Sequence, residues 1–137
     1  MTANFSWTST IPLRWRDLDA QQHVFHGVHV TLFDQARGNM IAEALSRPNP
    51  VYVIARLDLE YLHELGLDDS PITVTSTVVN VGTTSITTQE RMLSRHGTEI
   101  GYATAVLVWW DESGSKRALT SAERTALLST HVSAVRT

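Results

Sequence analysis

One long run of helical periodicity, set in a chain otherwise built of β-like segments, most narrows what this sequence can fold into. Gly27 opens a run in which Val28, Leu32, Phe33, Ala36, Met40, Ile41, Ala44 and Leu45 recur mostly three or four residues apart. That spacing draws one apolar stripe on a helix of about five turns. Arg37, Asn39 and Glu43 read as lying largely off the stripe, and Arg47-Pro48-Asn49-Pro50 as its stop. Upstream, Thr8–Trp15 reads as a strand, with Ile11 and Leu13 alternating against Pro12 and Arg14. Pro12 has no N–H to give a ladder, which places this strand at a sheet edge or turns its nitrogen outward there. Downstream, Val51–Leu62, Ile72–Val81, Ser85–Ser94 and Glu99–Trp110 are rich in β-branched and aromatic residues. Their connectors carry turn chemistry, as in Gly66–Pro71, Val81–Thr84 and Arg95–Gly97, and are short enough to predict antiparallel hairpins. Thr120-Ser121-Ala122-Glu123 has the form of a capping box and predicts a short C-terminal helix through Ala126-Leu127-Leu128.

The expected order is strand, long helix, four strands, short helix, within one domain spanning residues 1–137. A single amphipathic helix buries its stripe against one face of an antiparallel sheet, which gives an α+β layer pair. One helix cannot cover five strands of this length, so another subunit is expected to cover the remaining apolar surface and edge. The chain carries 11 Lys and Arg against 14 Asp and Glu, a formal net charge of −3. Phosphate neutralisation needs a clustered cationic excess, so a general nucleic-acid binder is not expected. No apolar run approaches the roughly 18 residues of a membrane span. The first residues, Met1–Trp7, lack the basic and then apolar blocks of a signal peptide. Cysteine is absent, which excludes disulfides, thiolate catalysis and Cys-based zinc sites. A cytoplasmic location is the expectation.

The segment Arg14–His29 carries two carboxylates, Asp17 and Asp19, and three histidines, His23, His26 and His29, between a strand and the start of the long helix. The first turn of a helix leaves backbone N–H groups unpaired, and their partial positive charge suits a carbonyl oxygen becoming an oxyanion. A nearby carboxylate can then attack the carbonyl carbon or activate water. Thioester chemistry fits that junction.

The same segment resembles the 4-hydroxybenzoyl-CoA thioesterase-like family of hotdog proteins. The family pattern is approximately R-x-x-D-x-D-x-x-G-H-V-x-N, followed by a helix containing E-x-A-R. Arg14, Asp17, Asp19, His23 and Val24 match it, and Asp34-Gln35-Ala36-Arg37 resembles the helix signature. Arg56–Tyr61, the Gly82-Thr83-Thr84-Ser85 hairpin and Tyr102–Val108 extend the resemblance over about residues 10–128. It implies a five-stranded antiparallel sheet wrapped around the Gly27–Leu45 helix, assembled as a homodimer or homotetramer with composite sites at the interface. It further implies hydrolysis of an acyl-CoA or related acyl thioester, with no cofactor beyond the coenzyme A of the substrate. Asp19 takes the place of the catalytic carboxylate, as nucleophile or general base. N–H groups near Phe25 and His26 would polarise the carbonyl. The chain departs from the pattern at three places: Gln22 replaces the usual Gly, His26-Gly27 an Asn-Asn-type pair, and His29 the usual Tyr.

Each of these residues also has a plainer reading. Asp19 is otherwise a turn carboxylate. His23 is first a histidine bonded within its loop and only second an acid or base. Asp17 reads as structural, held by backbone or by Arg14 or Arg16. The D-x3-H-x2-H-x2-H spacing of Asp19, His23, His26 and His29 admits zinc in principle, but it straddles a loop–helix junction and no metal is expected. Gln22 and His29 are candidate substrate contacts. Thr83, Thr84 and Ser85 are hairpin residues whose sharper reading is contact with the pantetheine or nucleotide of CoA. Arg56, Arg91 and Arg95 read as solvent-facing strand residues before CoA-phosphate ligands. The rival functions are a hotdog hydratase or dehydratase, whose D-x-N-P-x-H-type spacing is missing here, and a non-catalytic acyl-CoA binding module.

Overall fold

A computed structural model gives the structure of the chain, describing residues 4–46 and 52–129. Five strands, β1 (Ser6–Ile11), β2 (Tyr52–Tyr61), β3 (Ile72–Val81), β4 (Ser85–Leu93) and β5 (Glu99–Trp109), form one antiparallel sheet in the order β1-β3-β4-β5-β2. Helix α1 (His26–Leu45) lies across β1, β3 and β4, and helix α2 (Ser121–Leu128) packs beside it. The predicted hotdog architecture is present, and the element order matches the periodicity. β1 begins and ends earlier than expected. Pro12 and Leu13 leave the sheet, and Trp15–Asp17 form a single 3-10 turn instead of continuing the strand. β1 does lie at an edge, as Pro12 required. α1 ends at Ser46, which adopts a left-handed conformation with φ 53° and donates its N–H to the Ala42 and Glu43 carbonyls. The expected stop at Arg47–Pro50 lies outside the described residues.

Two apolar clusters fill the space between α1 and the sheet. Leu32, Phe33 and Ala36 meet Ile72, Val74, Met92 and Ile100 towards the N-terminal half of the helix. Met40 and Ile41 meet Val78, Ile86, Leu107, Trp109 and Leu127 towards its C-terminal half. Between them lies a charge. Arg37, placed off the stripe by the sequence reading, is only 2% exposed and donates from Nη2 to Glu90 Oε1 at 2.7 Å. The correction follows from the spacing: 33, 37 and 41 form an i+4 row, so the core-facing stripe passes through Arg37. Glu90 accepts from Ser76 Oγ through its second oxygen, while Arg37 Nε also reaches Thr88 Oγ1. With these bonds the buried carboxylate and guanidinium are paired and hydrogen-bonded, the condition under which interior charges are tolerated.

At the other end of the chain, the predicted capping box forms. Glu123 N–H donates to Thr120 Oγ1, and Thr120 N–H donates to the Glu123 carboxylate. The same carboxylate accepts both outer nitrogens of Arg117 and the indole N–H of buried Trp109. β2 contrasts with these well-covered elements. Among the described strands it pairs only with β5, and Val53 and Ile54 are exposed on it.

Removing Arg37 leaves Glu90 buried without its opposing charge, and removing Glu90 leaves Arg37 only the exposed Asp34 carboxylate at 3.2 Å. Arg37→Met or Glu90→Leu singly should each destabilise the fold by about 3–5 kcal/mol, and the double variant should recover most of that loss, as read by urea unfolding. The Arg117 guanidinium, against the opposing effect of burial, holds the Glu123 carboxyl down at about 2, below its ordinary 4.5. A depressed carboxyl stabilises the fold above its unfolded value and loses that contribution as pH falls from about 4.5 towards 2. Glu123→Gln should therefore lower stability at neutral pH, by about 3 kcal/mol at most, and flatten the acid limb of a melting-temperature profile over that range.

Candidate active site

Residues Arg14–Phe25 fold as a small closed loop that delivers Asp19 to the start of α1. Its base is tied by Asp17, whose carboxylate accepts from the Arg14 backbone at 2.7 Å and the Arg14 side chain at 3.0 Å. Burial alone would raise the Asp17 carboxyl. The bonds from Arg14, with the charges of Arg14 and Arg16, hold it below the usual range. Asp17 is thus the loop fastener expected of it. Leu18 bridges Val24, and Val24 N–H donates to Leu65 O at 2.7 Å, which fixes the loop to the segment after β2.

Asp19 occupies the neck of this loop. Its N–H donates to His23 O at 2.7 Å, and its Oδ1 accepts from Gln21 N–H at 2.8 Å and His23 N–H at 3.2 Å. The plainer turn reading therefore holds for one oxygen. Among the described residues, Oδ2 has no hydrogen-bond partner. The carboxylate is aimed by one oxygen and available through the other. His23 supports Asp19 through its backbone, while its ring Nε2 lies 3.1 Å from Glu64 Oε2. Gln22 takes φ 69°, the left-handed region where glycine carries no steric penalty, and it is exposed at the loop tip. The loop therefore keeps the backbone shape that a Gly would favour, at a conformational cost, and Gln21 instead of Gln22 lines the cavity.

That cavity, about 400 Å³, lies between the loop, the first turn of α1 and the end of β2. Asp19, His23, His26 and His29 line it from the loop and helix, and Tyr61 and Glu64 from the far side. Among the described residues no side chain caps the start of α1. Phe25 N–H, expected to face the substrate, is already donated to Asp17 O at 2.9 Å, and Val28 N–H turns back to Phe25 O. Among the described residues this leaves the N–H groups of His26 and Gly27 without a partner. The positive end of the helix dipole is thus open beside Asp19. His29, one turn further along, is only 4% exposed, and among the described residues its Nδ1 has no hydrogen-bond partner. Burial, and then the charge of His26, push its imidazole below the usual histidine value, which favours the neutral ring.

Tyr61 was not singled out by sequence reading. Its hydroxyl donates to His26 O at 2.9 Å, and its ring meets His29 edge-on at a centroid distance of 5.0 Å. Opposite it stands Gly101, where an added Cβ would fall 2.5 Å from Glu60 O, so only glycine lets β5 and β2 close up at this end. A tyrosine at a strand end carries no local signal for this role, because the contact depends on how β2 is registered against β5.

The remaining candidates lie elsewhere. Ser85 pairs with Val108, whereas Tyr61 pairs with Gly101, seven residues back along β5 and roughly 23 Å away at about 3.3 Å per residue. Within one chain, Thr83, Thr84 and Ser85 are thus at the far end of the sheet from Asp19. The Thr83 and Thr84 carbonyls accept from Leu119 and Trp109 N–H, and the Ser85 carbonyl closes the hairpin on Gly82 N–H. Arg56, Arg91 and Arg95 are exposed, as expected, and engage Asp58, Glu99 and Asp68. No group of three or more His, Cys, Asp or Glu suited to a metal ion is found among the described residues. Nor is any helix among them long and apolar enough to cross a membrane.

Gln22→Gly should relieve the left-handed strain without altering the loop. The expected outcome is a gain of up to about 1 kcal/mol in unfolding free energy with the fold unchanged, measured by denaturant titration. A loss of stability would show that the Gln22 side chain, and not the backbone conformation, holds this tip.

Comparison with known proteins places this architecture. A thioesterase from Thermus thermophilus, complexed with coenzyme A and zinc, superposes with a TM-score of 0.75 at 24% identity, covering 89% of this chain and 97% of that one. A predicted thioesterase from Bacillus stearothermophilus gives 0.79 at 19% identity, covering 89% and 93%. A DHNA-CoA thioesterase from Staphylococcus aureus gives 0.73 at 15%, covering 83% and 80%. No curated protein matches the chain. The sequence pattern of the thioesterase superfamily matches residues 21–100, more than half of the chain, and the protein belongs to that superfamily.

Proposed function

We propose that the protein hydrolyses acyl-CoA thioesters, or closely related acyl thioesters, with Asp19 as its catalytic carboxylate. The observation that carries this reading is the pairing of one unengaged Asp19 oxygen with an uncapped helix start across a single cavity. The thioester carbonyl oxygen would point at the His26 and Gly27 N–H groups, whose fixed dipoles favour the oxyanion over the neutral carbonyl. Asp19 Oδ2 would then act on the opposite side. It either takes a proton from the attacking water or attacks the carbonyl carbon itself and is released by water afterwards. By both routes the C–S bond breaks, the thiolate leaves and is protonated, and a carboxylic acid remains. Membership of the thioesterase superfamily supports the reaction class.

The unpaired edge of β2 supports a second copy as part of the working enzyme. If two β2 edges pair antiparallel about a twofold axis, the Tyr61 end of one meets the Tyr52 end of the other. The partner's Thr83–Ser85 hairpin then arrives at the same end of the joined sheet as this chain's Asp19. That arrangement would let the hairpin reach the CoA portion of a substrate held in the cavity.

Asp19→Asn separates chemistry from structure, because the amide oxygen still accepts the Gln21 and His23 N–H bonds. Its kcat for thiol release from CoA thioesters should fall by about 10²–10⁴ while stability changes by less than about 0.5 kcal/mol. Undiminished turnover would remove Asp19 from the catalytic role.

A further inference from the structure

One ion pair on the cavity wall is set more firmly than its worth to the fold requires. His23 Nε2 lies 3.1 Å from Glu64 Oε2, and both side chains line the cavity beside Asp19. The side chains are 41% and 73% exposed, and a pair so open to water adds little to stability. Their segments are nevertheless tied at the very next residues, where Val24 N–H donates to Leu65 O at 2.7 Å. The N–H groups of Leu62 and His63 both donate to Ile100 O, which holds the Glu64 segment to β5. His23 in turn clasps Asp19 through its own main chain. The two ring nitrogens of His23 therefore differ. With Nε2–H given to the Glu64 carboxylate, the lone pair of the neutral ring lies on Nδ1. Among the described residues Nδ1 has no hydrogen-bond partner, and it is not one of the polar atoms sealed from solvent. An imidazole held by a carboxylate at one nitrogen and open to water at the other has the form of a general base with its orienting acid.

Building on the thioesterase reading, we infer that His23 is the base that activates the hydrolytic water, that Glu64 is its positioning residue, and that Asp19 attacks the thioester carbon itself. A general base works best when it titrates near the working pH, which an imidazole ordinarily does and a carboxylate ordinarily does not. Asp19 has one oxygen fixed by the Gln21 and His23 N–H groups and the other without a partner among the described residues, which suits an aimed nucleophile. In the first step Asp19 Oδ2 bonds to the carbonyl carbon, the C–S bond breaks and the thiolate leaves, giving an acyl–Asp19 anhydride. In the second, His23 Nδ1 takes a proton from water while the water oxygen bonds to the acyl carbon. The anhydride C–O bond then breaks, the carboxylic acid departs and Asp19 regains its carboxylate. The proton on Nδ1 passes to the thiolate, so one water is consumed for each thioester and the ring returns to its neutral form.

The test uses the full chain and whichever CoA thioester wild type cleaves fastest in a panel of acyl lengths. His23→Gln keeps the bonds to Asp19, because residue 23 makes them with its main chain. This variant should release about one thiol per site in a fast first turnover and then run at least about 10²-fold slower than wild type. Mass spectrometry of the acid-quenched burst should find the acyl group on Asp19. Glu64→Ala should lower kcat by about tenfold with KM held within about twofold. Glu64→Gln, whose amide oxygen still accepts from Nε2, should recover part of that loss. A merely structural role would depress activity without a burst and without acylated Asp19. Steady-state turnover of His23→Gln within about threefold of wild type, a slowed His23→Gln that shows no burst, or an unchanged kcat in Glu64→Ala overturns the inference. If Asp19→Asn is inactive in that same experiment, the Asp19 reading survives alone. If Asp19→Asn is fully active, or wild type cleaves no CoA thioester, the thioesterase reading itself falls and takes this one with it.

Discussion

The Arg37–Glu90 pair is the interaction on which the placement of everything else depends. Apolar contacts between a helix and a sheet tolerate sliding, because one Leu can replace another against a broad hydrophobic face. A buried ion pair cannot slide in that way. Displacing α1 by one turn would carry Arg37 away from Glu90 and strand both charges among Phe33, Met40 and Met92. The pair divides the core into two apolar clusters and locks the helix axially between them. The first turn of α1 is therefore located by a contact made about three turns further along the same helix.

A helix held in that way still needs a carboxylate brought to its end. The loop achieves this with hydrogen bonds within its own backbone more than with packing. Asp17 fastens the base, His23 clasps Asp19 from both main-chain groups, and Val24 enters the core with Leu18 packed against the same cluster. This division keeps Asp19 partly exposed and therefore able to meet a ligand, while its direction is set. Tyr61 closes the far wall by bonding the same first turn, so three separate chain segments converge on a space smaller than any of them would define alone.

Much of this was legible in the residues. Spacing located α1, the four later strands and the capped α2 almost to the residue, because each element obeys one dominant period or cap. The strand entering the loop ends earlier than its alternation implies, since Leu13 continues the pattern of Ile11 while lying outside the ladder with its N–H donated to Ser70 Oγ. The charge of Arg37 points to solvent, whereas its position in the i+4 row with Phe33 and Ile41 faces the core. Asp19, His23, His26 and His29 could be grouped by proximity along the chain. Tyr61 and Glu64 could not, because their place in the site arises from the pairing of β2 with β5. Phe25 lost its expected N–H for a similar reason: the carbonyl that takes it belongs to Asp17, eight residues earlier, and only loop closure brings the two together.

Gly101 sets an asymmetry in how this pocket could be reshaped. The loop tip and the cavity faces of His26 and His29 are side-chain surfaces that substitution can alter without moving the backbone. The wall at Tyr61 rests on a close approach of two main chains, and a side chain at position 101 would push against the Glu60 carbonyl. Redesign for a bulkier or differently polar acyl group thus has freedom on the helix and loop sides and almost none behind the strand. A library that varied all sides equally would spend many of its members on unfolding β2 from β5.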